Sequence, residues 1–131
     1  MRIWKLSLLA AFLAALATSG QALEAEPFSQ HRFEQLQAED ALILIDIWAT
    51  WCPTCRRQRE ILARFQSEHP EVELHILEVD FDRDKEVVRQ FRAPRQSTLL
   101  LFRGEQQVWY GVAETRREVI YDTILQAPSS S

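Results

Sequence analysis

The sequence has 131 residues, of which 47% are hydrophobic and 26% are charged, and its formal net charge is −4. A chain of this length and composition supports one compact domain with a filled core, and not two domains. The acidic balance argues against a nucleic acid as the partner.

A secretory signal peptide is predicted at the N-terminus. Arg2 and Lys5 form a short basic start, and an apolar run from Leu6 to Ala17 precedes the small residues that end at Ala22. An apolar run of about a dozen residues is shorter than the roughly 20 that span a bilayer, so a retained membrane anchor is the weaker alternative.

The protein is therefore expected to be exported to the periplasm. Residues 1–22 form the predicted leader, which we expect to be cleaved after Ala22. Residues 23–127 form the predicted domain, and residues 128–131 form a polar tail.

Hydrophobic periodicity and turn residues predict eight elements after the leader. In chain order these are a helix at Ser29–Glu39, a strand at Ala41–Trp48, a helix at Cys52–His69, a strand at Glu71–Asp80, a helix at Asp84–Phe91, a hairpin of strands Thr98–Arg103 and Gln106–Tyr110, and a helix from Thr115. Strands that are separated by helices usually pair in parallel, and the hairpin adds an antiparallel edge. The pattern therefore predicts an α/β fold with a mixed central sheet and helices on its faces.

The first two of the four predicted strands differ in their hydrophobic pattern. Ala41–Trp48 is a continuous apolar run, which is typical of a strand that is buried on both faces of a sheet. Glu71–Asp80 alternates, and its residues Val72, Leu74 and Ile76 are expected to point inward.

Three local signals mark helix starts. Ser29 is a predicted N-cap, and Pro53 is well suited to the first turn of the helix that follows Cys52. The sequence from Thr115 to Glu118 has the form of a capping box, so the last helix is expected to begin at Thr115.

Cys52 and Cys55 are the only cysteines in the chain. In an exported protein two cysteines usually form a structural disulfide. A bridge between residues this close encloses a very small loop, and it removes little entropy from the unfolded chain. The spacing therefore favours a redox-active disulfide, which is reversibly reduced and oxidised.

The predicted positions of the two cysteines suggest different roles. Cys52 is expected at a helix N-terminus, where unpaired N–H groups and the helix dipole stabilise a thiolate and lower the cysteine pKa. Cys55, one turn later, is expected to be deeper and less exposed. Cys52 would then attack a partner's disulfide, and Cys55 would resolve the mixed disulfide.

Asp46 is an acidic residue inside an otherwise apolar strand. We expect a buried carboxylate beneath the cysteines, with a pKa that desolvation raises and with the ability to accept the Cys55 proton. The alternative is an acid at the edge of the core that reaches water. Trp48 is interpreted as core, and Trp51 as a packing lid that contributes to the surface facing a partner.

The stretch DIWATWCPTC, from Asp46 to Cys55, resembles the active site of the thioredoxin superfamily, and the order of elements matches over residues 28–126. The tract WATWCPTCR is similar to exported, membrane-linked members that reduce disulfides during cytochrome c maturation, although their central insertion is missing. The resemblance implies a thioredoxin fold, a redox disulfide between Cys52 and Cys55, and no cofactor. It also implies a monomer that acts on protein thiols and disulfides, with a transmembrane thiol transporter as electron donor.

The resemblance further implies a substrate-binding surface. Its predicted residues are Trp51, Pro53, Thr54, Gln96, Ser97 and Thr98. Thioredoxins carry a cis-proline where this chain has Ser97, and Pro94 lies three residues too early. Because a cis bond before a residue other than proline costs about 2.5–4 kcal/mol, we expect a trans bond and a shifted loop.

Two further features concern charge near the site. Many thioredoxins have a lysine near Glu78; an acid there would raise the pKa of Asp46 unless it points to solvent. The arginines that follow the cysteines are interpreted mainly as a solvated helix face, with a basic collar for an acidic partner as the alternative. These arginines are Arg56, Arg57, Arg59 and Arg64, with Arg95 as a possible addition.

The leading hypothesis is a thiol–disulfide reductase. Strong oxidants of the superfamily often have a histidine at the position of Thr54, which helps to stabilise the thiolate. One alternative is a disulfide oxidant or isomerase. Another is a metal or iron–sulfur module in which a dimer shares four sulfurs, since Ser97 replaces a proline thought to discourage metal capture. His31, His69 and His75 have no ligand spacing, so no metal site is predicted.

Overall fold

The computed structural model describes residues 23–130. The predicted leader and its cleavage site after Ala22 lie outside these described residues. Within residues 23–130, no helix combines the length and the apolar character needed to cross a membrane.

Over residues 23–130, nine elements form a three-layer arrangement around a five-stranded sheet with the strand order β1-β3-β2-β4-β5. They are β1 (Glu26–Pro27), α1 (Gln30–Ala38), β2 (Leu42–Trp48), α2 (Pro53–Glu68), β3 (Leu74–Asp80), α3 (Lys85–Gln90), β4 (Thr98–Arg103), β5 (Gln106–Val112) and α4 (Arg117–Leu125). Strand β2 pairs in parallel with β3 and antiparallel with β4, and β4 pairs antiparallel with β5. The predicted α/β fold with a mixed sheet is confirmed.

Strand β1 was not predicted. It has two residues and pairs in parallel with β3, where Glu26 lies opposite Leu77. A strand this short has no detectable periodicity, so only its neighbour in the sheet defines it.

The sheet is covered by α1 and α3 on one face and by α2 and α4 on the other. Strand β2 supplies both cores, since Ile43, Ile45 and Ile47 pack with α1 and α3, whereas Leu42 and Leu44 pack with α2 and α4. The alternation of side chains along a strand directs Asp46 to the same face as Leu44, toward α2. This register places the only acidic residue of β2 beneath the helix that carries Cys55.

Strand β3 is more buried than its sequence pattern suggested. Leu74 and Ile76 face α2 as predicted, although the strand begins at Leu74 and not at Glu71. Leu77 and Val79 are also buried, on the opposite face. The prediction of a single inward set was incomplete, because α1 and α3 cover the second face of the central strands.

The predicted helix starts are correct at two helices and wrong at one. The Ser29 hydroxyl accepts the N–H of Arg32 at 3.1 Å, and Pro53 is the first residue of α2. Helix α4 begins at Arg117, without a capping box. The Glu114 carboxylate accepts the backbone N–H of Arg116 and also binds the Arg116 side chain, so this local pair replaces the predicted cap.

The turn between β4 and β5 requires a glycine. Gly104 has φ +56°, and a Cβ atom there would lie 2.6 Å from the Asp40 Oδ1 atom. We therefore expect Gly104→Ala to lower the free energy of unfolding by about 1–2 kcal/mol, measured by urea unfolding. Glu105→Ala, at the neighbouring exposed position, is the control and should change it by less than about 0.5 kcal/mol. Equal unfolding curves for Gly104→Ala and the parent protein would contradict this account of the turn.

Candidate active site

The two cysteines lie where β2 leads into α2. Cys52 is the N-cap of α2, and it forms a disulfide with Cys55 across a Cα–Cα distance of 5.3 Å. The Cys52 sulfur accepts the backbone N–H of Cys55 at 3.1 Å. The expected position of Cys52 at a helix N-terminus is thus confirmed, and the hydrogen bond is of the kind that stabilises a thiolate after reduction.

The expected difference in exposure between the cysteines is not found in the disulfide form. Cys52 is 2% exposed and Cys55 is 1% exposed. Both sulfurs belong to a small apolar cluster with Ala49, against which Trp48 and Phe81 pack. In this state the two cysteines therefore differ by their place on the helix and not by their access to solvent.

Asp46 is buried beneath this end of α2. It is 1% exposed. Desolvation raises the pKa of its carboxyl from 3.8 to about 6, the Arg59 guanidinium opposes this rise, and the Glu78 carboxylate adds to it. The predicted burial and the predicted direction of the pKa are confirmed. A carboxyl with a pKa near 6 can exchange a proton in the range around neutral pH.

Arg59 connects two carboxylates at the site. Its Nε atom donates to Asp46 Oδ2 at 3.1 Å, and its Nη2 atom donates to Glu78 Oε2 at 2.6 Å. The guanidinium also lies 4.2 Å from the centre of the Trp48 ring. The prediction that Arg59 belongs to a solvated helix face is therefore wrong, whereas Arg56, Arg57 and Arg64 are exposed.

Glu78 lies opposite Asp46 in the register of β2 and β3. Its side chain is 27% exposed and bound to Arg59, so it does not extend freely into solvent. The expected like-charge effect of Glu78 on the pKa of Asp46 is present, as the smallest of the causes.

The loop before β4 takes the expected trans form. Among the described residues there is no cis peptide bond, and Ser97 has φ +62°. The Ser97 N–H donates to the Ile47 carbonyl at 2.8 Å, and the Ser97 carbonyl accepts the N–H of Ala113 at 2.8 Å. The first bond holds the loop against the end of β2 that leads to the cysteines, and the second joins it to the residue that follows β5.

Gln58 is a structural residue that the sequence analysis missed. It is fully buried, and its Nε2 atom donates to the Ser97 carbonyl at 3.1 Å and to the Glu114 carbonyl at 3.0 Å. Its position three residues before Ile61 places it on the apolar stripe of α2, and this spacing was the available signal. Gln58 fastens α2 to the Ser97 loop and to the segment before α4.

We expect Gln58→Ala to lower the free energy of unfolding by about 3 kcal/mol, because it leaves a cavity and removes two buried hydrogen bonds. Gln35→Ala makes the same change on the exposed face of α1, and it should cost less than about 0.5 kcal/mol. Urea unfolding measures both values. If the two variants lose equal stability, Gln58 does not fasten α2 to the loop.

The six predicted substrate-binding residues differ in accessibility. Trp51 is 57% exposed, Pro53 is exposed, Thr54 and Gln96 are half-buried, and Ser97 and Thr98 are buried. The Trp51 Nε1 atom donates to Asp82 Oδ2 at 2.8 Å, which orients the ring.

The hydroxyls of Ser97 and Thr98 are engaged inside the loop. Ser97 donates to the Gln96 carbonyl, and Thr98 donates to the Arg95 carbonyl at 2.6 Å. The backbone of Ser97 is engaged as well, since its N–H and its carbonyl are bonded to Ile47 and Ala113. No group of three or more His, Cys, Asp or Glu residues is placed to hold a metal ion within residues 23–130.

Comparisons with known proteins agree with this geometry. The thioredoxin family model matches residues 24–126. The crystal structure of Trxlp from Edwardsiella tarda has a TM-score of 0.72 and 37% identity, and the match covers 77% of this chain and 98% of that one.

Curated relatives match over shorter stretches. Thioredoxin-1 of Saccharomyces cerevisiae is 30% identical over 76 residues, which cover 58% of this chain and 72% of the yeast protein. The bifunctional thioredoxin reductase/thioredoxin of Mycobacterium leprae is 32% identical over 76 residues, but these cover only 16% of that protein. The chain belongs to the thioredoxin family, and its homologues and fold indicate thiol–disulfide oxidoreductase activity.

Proposed function

We propose that the protein is an exported reductase of protein disulfides that uses Cys52 as nucleophile and Cys55 as resolving residue. One observation carries the proposal: the Cys52 sulfur accepts a helix N–H at the start of α2, above a buried carboxyl whose pKa is about 6. The first feature stabilises a thiolate, and the second provides a proton acceptor.

The reaction proceeds in two displacements. The Cys52 thiolate attacks one sulfur of the partner's disulfide, which forms a mixed disulfide and releases the partner's other sulfur as a thiolate. Cys55 then transfers its proton to Asp46 and attacks the Cys52 sulfur. The Cys52–Cys55 disulfide forms, the second partner sulfur leaves as a thiolate, and two electrons have passed to the partner. Solvent and Asp46 supply the protons that the two partner thiolates take up.

The reducing direction is supported by the residue between the cysteines. An oxidant is strong when its reduced form is stabilised, for example by a cationic neighbour of the thiolate. Thr54 is uncharged and supplies no such cation. The hydrogen-bond donor to the Cys52 sulfur is instead the uncharged amide N–H of Cys55.

Equilibration with glutathione tests the direction of electron transfer. A reduction potential near −270 mV, together with reduction of insulin disulfides by the protein and a thiol donor, is the expected result. A potential near −120 mV would overturn the proposal and identify a disulfide oxidant instead.

Export and the electron donor belong to the same proposal. Their support is the basic and apolar pattern before Ala22 and the similarity of the WATWCPTCR tract to reductases of cytochrome c maturation. A periplasmic reductant needs electrons from elsewhere, for which a transmembrane thiol transporter is proposed. Mass spectrometry of the periplasmic fraction should find a chain that begins at Leu23. An intact chain confined to the cytoplasm would contradict export.

A further inference from the structure

We propose that Arg59 is the positioning residue that sets the pH at which Asp46 can take the proton of Cys55, and that Glu78 keeps the Arg59 guanidinium paired while Asp46 is protonated. This inference rests on the proposed function, and it adds to the site a network of three charged side chains, those of Asp46, Arg59 and Glu78. In place of the lysine that many thioredoxins have near residue 78, this chain has an acid on β3 and a cation on α2.

The elements packed around Asp46 determine which charged side chains face its carboxyl. Helix α2 presents Arg59, which binds Asp46 Oδ2, and strand β3 presents Glu78 directly opposite Asp46. Strand β4 presents Leu99 at the paired position, which is uncharged. Within the described residues, Arg59 and Glu78 are thus the charged groups that face the carboxyl.

The second carboxylate oxygen is available for a proton. Asp46 Oδ1 is buried and has no hydrogen-bond partner within residues 23–130, whereas Oδ2 is held by Arg59. Cys55 precedes Arg59 by four residues on α2, so both side chains lie on the face of the helix above Asp46. Arg59 therefore fixes the carboxyl through one oxygen and leaves the other oxygen without a partner among the described residues.

Glu78 determines what happens to Arg59 when Asp46 becomes neutral. The guanidinium does not lose its proton in proteins, and a partly buried cation without a counterion is unfavourable. Arg59 lies 2.6 Å from Glu78, and we expect this ion pair to persist when Asp46 takes up a proton. Glu78 thereby favours the protonated form of Asp46, and Arg59 favours the ionised form.

Two single variants should therefore move the Asp46 titration in opposite directions. Arg59→Met keeps an extended side chain against Trp48, and it should raise the pKa of Asp46 by about one pH unit or more. Glu78→Gln should lower it by less, since Glu78 is the weaker influence. Carbon-13 NMR titration of the Asp46 carboxyl in the oxidised protein measures both shifts. Arg89→Met, on the exposed face of α3, is the control and should leave the titration unchanged.

The resolving step supplies a readout that a merely structural role would not move. In a single-turnover reaction with a disulfide substrate, the pH midpoint for decay of the mixed disulfide should follow the Asp46 titration in each variant. A decay rate that falls equally at every pH, with no movement of the midpoint, would contradict a role for Arg59 in proton transfer.

A rescue variant separates charge from packing. Arg59→Met combined with Glu78→Lys places a cation on β3 opposite Asp46, and it should return the Asp46 titration toward that of the parent protein. Arg59→Lys keeps the cation on α2 and should shift the titration less than Arg59→Met, which provides a test if the methionine variant does not fold. Shifts in the same direction for Arg59→Met and Glu78→Gln, or no rescue, would overturn the proposal.

Failure of this inference is distinguishable from failure of the proposed function. The NMR titration needs no reductase activity, so it reports on Arg59 and Glu78 even if the parent protein reduces no disulfide. A parent protein that reduces insulin while the two variants leave the Asp46 titration unmoved would overturn the inference alone.

Discussion

Replacing Cys52 by Ser is expected to lower the rate of insulin disulfide reduction by roughly three orders of magnitude, to the rate of the thiol donor alone. A hydroxyl at this position remains protonated near neutral pH, so the N–H groups at the start of α2 have no anion to stabilise. Cys55 does not replace it, because it lies inside the first turn of α2 and not at the helix N-cap.

Cys55→Ser should behave differently from Cys52→Ser. Its Cys52 thiolate can still attack, but no second thiol is present to release the captured partner, so a stable mixed disulfide accumulates. Non-reducing electrophoresis measures this species, and insulin turbidity measures turnover. Ser67→Ala, near the far end of α2, is the control and should retain full activity. Retention of parental activity by Cys52→Ser would contradict the assigned nucleophile, and trapping by Cys52→Ser in place of Cys55→Ser would reverse the two roles.

Replacing Asp46 by Asn is expected to stabilise the protein at pH 8 by about 3 kcal/mol while it slows resolution of the mixed disulfide. The pKa of Asp46 is about 6 in the folded protein, compared with 3.8 as the ordinary value. The folded state therefore binds the Asp46 proton more tightly than the unfolded state does. The associated stability is fully present below pH 3.8, is lost as the pH rises toward 6, and stays lost above that pH.

Urea unfolding between pH 4 and pH 8 tests this linkage. The difference in free energy of unfolding between Asp46→Asn and the parent protein should grow over the interval from about pH 4 to pH 6 and then stay constant. Asp122→Asn, at an exposed position of α4, is the control and should give a difference that hardly depends on pH. A difference between Asp46→Asn and the parent that is the same at pH 4 and pH 8 would contradict the raised pKa.

The parts of the fold that depend on local pattern could be predicted from the sequence. The apolar run that became β2 is long enough to indicate a buried central strand, and alternation along it places Asp46 on one face. The start of α2 could be predicted because Pro53 follows Cys52 and both residues have strong positional preferences. These signals were sufficient to locate the redox pair above a buried acid.

The parts that depend on distant partners could not be predicted. Arg59 has the sequence appearance of one more exposed arginine, and only the approach of β2 and β3 brings Asp46 and Glu78 to its side chain. Gln58 likewise became significant only when the Ser97 loop packed against α2. A capping box at Thr115 failed because the neighbouring Glu114 binds Arg116 more directly. For Arg59 and Gln58 a tertiary contact decides between conformations that the local sequence permits equally, whereas at Thr115 a competing local pair decides the helix start.

The proposed function depends on Cys52 being a reactive thiolate in the reduced protein, because it lies at the N-terminus of α2. Alkylation of the reduced protein with iodoacetamide at pH 6, followed by mass spectrometry of the labelled cysteine, measures this most directly. We expect residue 52 to be modified at least about tenfold faster than free cysteine, with residue 55 labelled much more slowly. A rate at residue 52 equal to that of free cysteine would contradict the claim.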